Sequence, residues 1–129
     1  MTASLIPVDP AGLHTSPAFA QGMIAPAGRT LYVGGQNGTD SEGALLDGLG
    51  PQTEQALRNV LAVLAEAGTG PANVAKLTIY LDPSVDPNDA YAASAEVWRH
   101  RSTVTVLAVA PARPGALVEI EAVAWIPEA

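Results

Sequence analysis

Between residues 51 and 67 the apolar side chains Leu57, Val60, Leu61 and Leu64 fall at i, i+3, i+4 and i+7, the spacing of one face of an α-helix. Pro51 near the start and Gly68 just past the end fit the asymmetry of helix termini. Over residues 76–82 the period changes to two, with Leu77, Ile79 and Leu81 on one side and Lys76, Thr78 and Tyr80 on the other, which predicts a half-buried strand. Beyond Pro83 and Pro87, the positions of Tyr91, Ser94, Ala95 and Trp98 return to helical spacing and predict a shorter second helix. Residues 103–108 and 117–126 are β-rich, and the connector 110–115 between them holds two prolines that cannot continue a ladder. Ahead of the first helix, residues 19–24 and 30–33 flank Pro26-Ala27-Gly28-Arg29 and are predicted to form a hairpin. The glycine-rich stretch 36–50 reads as an exposed loop that borders a site. The predicted order is ββαβαββ in one domain covering residues 1–129, with no internal repeat or linker.

The last strand has two unlike faces. Val118, Ile120, Ala122 and Ala124 make one side uniformly apolar and small, as expected where helices pack on a sheet. The other side carries Leu117, Glu119, Glu121, Val123 and Trp125, mixing carboxylates with large apolar groups that are poorly placed in open water. That mixture predicts a surface between subunits with polar clefts.

Composition narrows the function. The chain has 129 residues, of which 48% are hydrophobic and 15% charged, so one core is expected and some apolar surface is expected to face another copy of the chain. No apolar run is long enough to cross a bilayer, and the N-terminus lacks the basic and apolar regions of a secretion signal, so no membrane partner and a cytoplasmic location are expected. The absence of cysteine excludes disulfides, zinc–thiolate centres and thiol nucleophiles, and two separated histidines give no reason to expect a metal. A net charge of −7 opposes the cationic surface that nucleic acid requires.

The candidate chemistry is sparse. Glu119 and Glu121 project from the same face about 7 Å apart, close enough to hold or activate a water, but spacing alone equally allows two solvated sheet residues. Arg99, His100 and Arg101 form a short basic cluster; a guanidinium in a cleft binds a carboxylate in bidentate fashion, while the same residues also suit the negative end of the second helix. Gly34-Gly35-Gln36-Asn37-Gly38 lacks the Lys-Ser/Thr of a phosphate loop, and His14 and His100 have no serine and acid partners for a triad. Trp98 and Trp125 fit packing better than base stacking.

Five segments in order resemble the consecutive motifs of the Rid (YjgF-like) family: Phe19-Ala20-Gln21-Gly22, Leu31-Tyr32-Val33-Gly34-Gly35-Gln36, Gln55-Ala56-Leu57-Arg58-Asn59-Val60, Lys76-Leu77-Thr78-Ile79-Tyr80-Leu81, and Val118 through Ala124. The resemblance implies a chorismate-mutase-like α+β fold, with two helices on one face of the sheet, and a homotrimer with clefts between subunits. It also implies hydrolysis of small 2-imino or 2-enamino acids to 2-keto acids and ammonia without a cofactor. By position, Arg101 of Arg101-Ser102-Thr103-Val104 is similar to the family's carboxylate-binding arginine, and Glu119 to its water-positioning glutamate. Phe19 falls where an aromatic residue lines the cleft, Thr103 where main-chain groups approach the substrate, and Gly34 where relatives often carry Ser. A non-catalytic trimer binding a small carboxylate is the alternative, and the ribonuclease or translation-inhibitor activity attached to some relatives is opposed by the charge.

Overall fold

The computed structural model describes residues 3–128. Three strands come first, β1 (Ile6–Val8), β2 (Gly22–Ile24) and β3 (Arg29–Asn37), followed by helix α1 (Leu49–Glu66) and a single 3₁₀ turn at Pro71–Asn73. Strand β4 (Val74–Leu81), helix α2 (Pro87–Ser94), and strands β5 (Thr103–Ala108) and β6 (Val118–Ile126) complete the chain. The α+β class holds, and both helices lie on the same side of the main sheet.

That sheet has the order β3-β6-β4-β5. Strand β6 runs antiparallel to both β3 and β4, whereas β4 and β5 are parallel and joined through α2, because a parallel pair needs a crossover connection. The alternation read along residues 76–82 is realised, with Leu77 and Leu81 buried and Ile79 packed against the same core. On α1, Leu57, Val60 and Leu64 are fully buried against Val33, Ile120 and Ala122; truncation of such a leucine to alanine costs about 2–5 kcal/mol.

The start of the chain departs from the expected hairpin. Strand β2 pairs with β1, in a separate two-stranded sheet with Ile6 opposite Ile24, and β3 pairs with β6 instead. Three residues of β1, one of them Pro7, are too few to show a period, so local pattern gave no sign of the real partner. The order is therefore βββαβαββ. Strand β3 also continues through Gly34-Gly35 to Asn37, and α2 ends at Ser94, four residues short of Trp98.

Long side chains on α1 fasten the loops. Buried Gln52 donates to the carbonyls of Leu46 (3.0 Å) and Gly115 (3.2 Å) and accepts from the Leu117 N–H (2.8 Å). The Asn59 amide donates to the carbonyls of Asn37 and Thr39. Together they fix both ends of the loop after β3 and the entry to β6.

Trp125 is only 4% exposed, which corrects the expectation that it faces another subunit. Its indole N–H donates to the Ala27 carbonyl, and the turn at Gly28 lies over the ring. Gly28 has φ +154°, and a Cβ there would collide with the Trp125 ring and the Ile126 carbonyl. Gly28→Ala should therefore destabilise the fold by about 1–3 kcal/mol in denaturant unfolding; an unchanged midpoint would show that the turn relaxes freely.

Candidate functional site

The face of the sheet away from the helices carries the two glutamates. Glu119 lies opposite Tyr80 on β4 and Asn37 on β3. Between Val33 and Gln36 the register of β3 slips, so that Gly34 and Gly35 together stand against one residue of β6, the mark of a β-bulge. The Glu119 carboxylate occupies the space over Gly35, and any Cβ at that position would overlap it. A glycine inside a strand often signals such an approach. A Cβ at Gly34 would meet nothing, so this position stands open beside the bulge.

The structure separates the two carboxylates that spacing left equivalent. The Tyr80 hydroxyl donates to Glu121 Oε1 at 2.6 Å, whereas the Glu119 side chain makes no hydrogen bond among the described residues. The Tyr80 phenol is pushed above its usual value, first by its hydrogen bond to Glu121, then by burial and the nearby glutamate charges, and so remains a donor. A pocket of about 300 Å³ opens over Tyr80, Glu119 and Glu121, closed on one side by residues 109–112. Of the two acids, only Glu119 is unengaged within it.

Arg101 lies at the other end of the sheet and is held by the N-terminal segment. Its Nε–H donates to the Ser16 carbonyl (3.1 Å), and Nη2 donates to the Phe19 carbonyl (2.8 Å) and to Asp9 Oδ2 (3.0 Å). The guanidinium carries five N–H groups, and Nη1 makes no hydrogen bond among the described residues. Asp9 is held below the ordinary carboxylate value by the Gln21 backbone N–H and then by Arg101.

These contacts show which predicted site residues meet. Phe19 and Arg101 are joined through a main-chain carbonyl, and the Phe19 side chain lines a cavity on the helix side of the sheet. The Glu119 side chain meets Gly35, and Gly34 is the adjoining residue of the same bulge. Thr103 pairs with Lys76 and its hydroxyl donates to the Ala75 carbonyl. Lys76 is four residues from Tyr80 along β4, and β5 lies two places from β6, so Thr103 and Glu119 are about 16 Å apart, with Arg101 further still. One chain does not bring Arg101 and Glu119 together.

Asp9, Ser16 and Tyr80 are the participants that sequence reasoning missed. The alternation placed Tyr80 on the same face as the glutamates, which was the available signal; nothing local tied Asp9 to a residue 92 positions away. Among the described residues, no group of three or more histidine, aspartate or glutamate side chains is arranged to hold a metal ion, and no helix is long and apolar enough to cross a membrane.

A mixed β3-β6-β4-β5 sheet under paired helices, with a carboxylate seated over a glycine bulge, defines a family-level architecture. Residues 11–126 match the family described as endoribonuclease L-PSP. The chain belongs to this family, the Rid or YjgF group that its motifs resemble. It is similar to the human protein named 2-iminobutanoate/2-iminopropanoate deaminase, with 34% identity over 118 residues covering 84% of this chain and 86% of that one. Among solved structures, a Rid-family protein of unknown function, YyfB from Yersinia pestis, has a TM-score of 0.82 at 29% identity and covers 96% of this chain and 100% of its own. RidA from the Antarctic bacterium Psychrobacter gives 0.70 at 28% identity, covering 92% and 94%.

The Asp9–Arg101 pair has a defined pH signature. A carboxylate whose value is lowered by folding stabilises the fold fully above its ordinary value of 3.8 and loses that contribution as pH falls through the lower folded value. Asp9→Asn should therefore lower the melting temperature at pH 7 and leave it close to wild type at the most acidic pH at which both fold. An equal gap at both pH values would show that charge on Asp9 is not what anchors the segment.

Proposed function

We propose that this protein is an imine deaminase that hydrolyses small 2-imino or 2-enamino acids to 2-keto acids and ammonia. The observation that carries the reading is the Glu119 carboxylate, unengaged, seated over Gly35 and set apart from its Tyr80-bound neighbour Glu121. Family membership and the activity in the human relative's name support it.

The two halves of the site are completed between copies of the chain. Arg101 of one copy offers its remaining Nη1 N–H groups to the substrate carboxylate, and Glu119 of the next faces C2, in the homotrimer that the family resemblance implies. Glu119 orients a water and takes one of its protons as the oxygen bonds to the electrophilic iminium carbon. The resulting carbinolamine nitrogen receives that proton and departs as ammonia while the hydroxyl proton is lost and the ketone forms. Phe19, Thr103 and Gly34 shape the surroundings: Phe19 through the carbonyl that fixes Arg101, Thr103 through the main chain at the start of β5, and Gly34 by leaving open space at the bulge next to Gly35. None of these steps calls for a metal or an organic cofactor.

A 2-imino acid released by an amino-acid oxidase should disappear faster when this protein is present, and Arg101→Ala should abolish the acceleration. No acceleration by wild type would overturn the enzymatic reading and leave carboxylate binding without turnover. Glu119→Gln should lower turnover by about 10²–10⁴-fold, the range for loss of a general base, while 2-keto acid binding by calorimetry is retained. Full turnover in Glu119→Gln would remove the water-positioning role.

A further inference from the structure

Helix α2 is poor in large side chains. Its sequence is PNDAYAAS; Ala90 is the only residue it buries, and Tyr91, its largest, is 62% exposed. Opposite it, β4 and β5 present Leu77, Ile79, Val104 and Val106. Alanines cannot fill the space against such a surface, and a cavity of about 900 Å³ lies between α2 and the sheet, reaching inward to the buried Leu57 and Ile120. Close-packed interiors leave few voids larger than a water, whereas small-molecule sites span about 300–1,000 Å³. Val106, at the rim, is 49% exposed although its neighbours on the same face pack into the core.

The charged groups of this cavity stand beyond the end of α2, while Ser16, Asn88, Tyr91 and Ser94 add neutral polar groups elsewhere on its wall. Trp98 lines it, but its indole Nε1 is unpartnered and buried out of reach of a molecule in the cavity. Beside it stand Arg99, which makes no ion pair among the described residues, and His100, whose ring meets Trp98 edge-on; Glu96 is the one carboxylate on the wall. Glu119 is on the opposite side of the sheet, since it alternates with Ile120 along β6.

We infer that this cavity is a second binding site, for an amphipathic monocarboxylate with a medium-length hydrocarbon body. The apolar body lies between α2 and the β4–β5 surface, and the carboxylate pairs with the Arg99 guanidinium beside His100. Apolar walls with a few polar groups are the general design of small-molecule sites, and a guanidinium that meets a charged acceptor favours an anion over a neutral head group.

Calorimetry with decanoate tests this, with decan-1-ol as the neutral control. Wild type should bind decanoate saturably, one per chain, and bind decan-1-ol about tenfold more weakly, as should Arg99→Gln with decanoate, the factor expected for a hydrogen bond to a charged group. Ala90→Phe fills the cavity from the helix and should abolish binding; Val106→Trp, at an exposed rim position, blocks it by a second route should the first variant fail to fold. Neither residue belongs to the Arg101 or Glu119 machinery, so imine turnover should be unchanged in both, and the two sites can fail independently. Absence of decanoate binding to wild type, or equal affinity in the folded blocking variants, would overturn the inference. Equal affinity for decanoate and decan-1-ol would overturn the assignment of the carboxylate to Arg99.

Discussion

Because β6 is hydrogen-bonded along both edges, to β3 and β4, its side chains have no choice of face, and that constraint organises the molecule. A one-residue slip would exchange Val118, Ile120, Ala122 and Ala124 with Glu119, Glu121 and Val123, placing carboxylates under the helices. Burial of the first set against α1 therefore fixes where the second set stands. The bulge at Gly34-Gly35 then makes room for one carboxylate, and Tyr80 engages the other. Core packing and site chemistry are two sides of one strand.

How much of this was legible depended on the range of the interaction. The helical stripe Leu57-Val60-Leu61-Leu64 and the alternation over residues 76–82 predicted α1 and β4 to within two residues at each end, because their burial follows a local period. The two faces of β6 were legible for the same reason. Pairing was not: β2 has three residues, and its choice of β1 over β3 depends on contacts that no local pattern encodes. Trp125 shared a face with Glu119 and was expected at an interface, but the turn at Gly28 covers it within the chain.

The site shows the same limit. Spacing placed Glu119 and Glu121 together but could not distinguish them, since the difference lies in a phenol on the adjacent strand. Arg101 was singled out by the family's motif, yet its anchors, Asp9, Ser16 and the Phe19 carbonyl, come from a segment about ninety positions earlier that carries no motif of its own. The cavity beside α2 follows from what that helix lacks. Spacing of Tyr91, Ser94, Ala95 and Trp98 described a helix but not its inability to fill the seam over β5.

In the proposed mechanism Arg101 and Glu119, at opposite ends of the sheet in one chain, act together only across two copies. Co-assembly of Arg101→Ala chains with Glu119→Gln chains in equal amounts tests it directly, with imine hydrolysis as the readout. Each protein alone should be inactive, and random mixing should restore about one quarter of wild-type turnover, the fraction of interfaces in which both residues are intact. No recovery in mixed assemblies would contradict the shared site and place both groups in the service of a single chain.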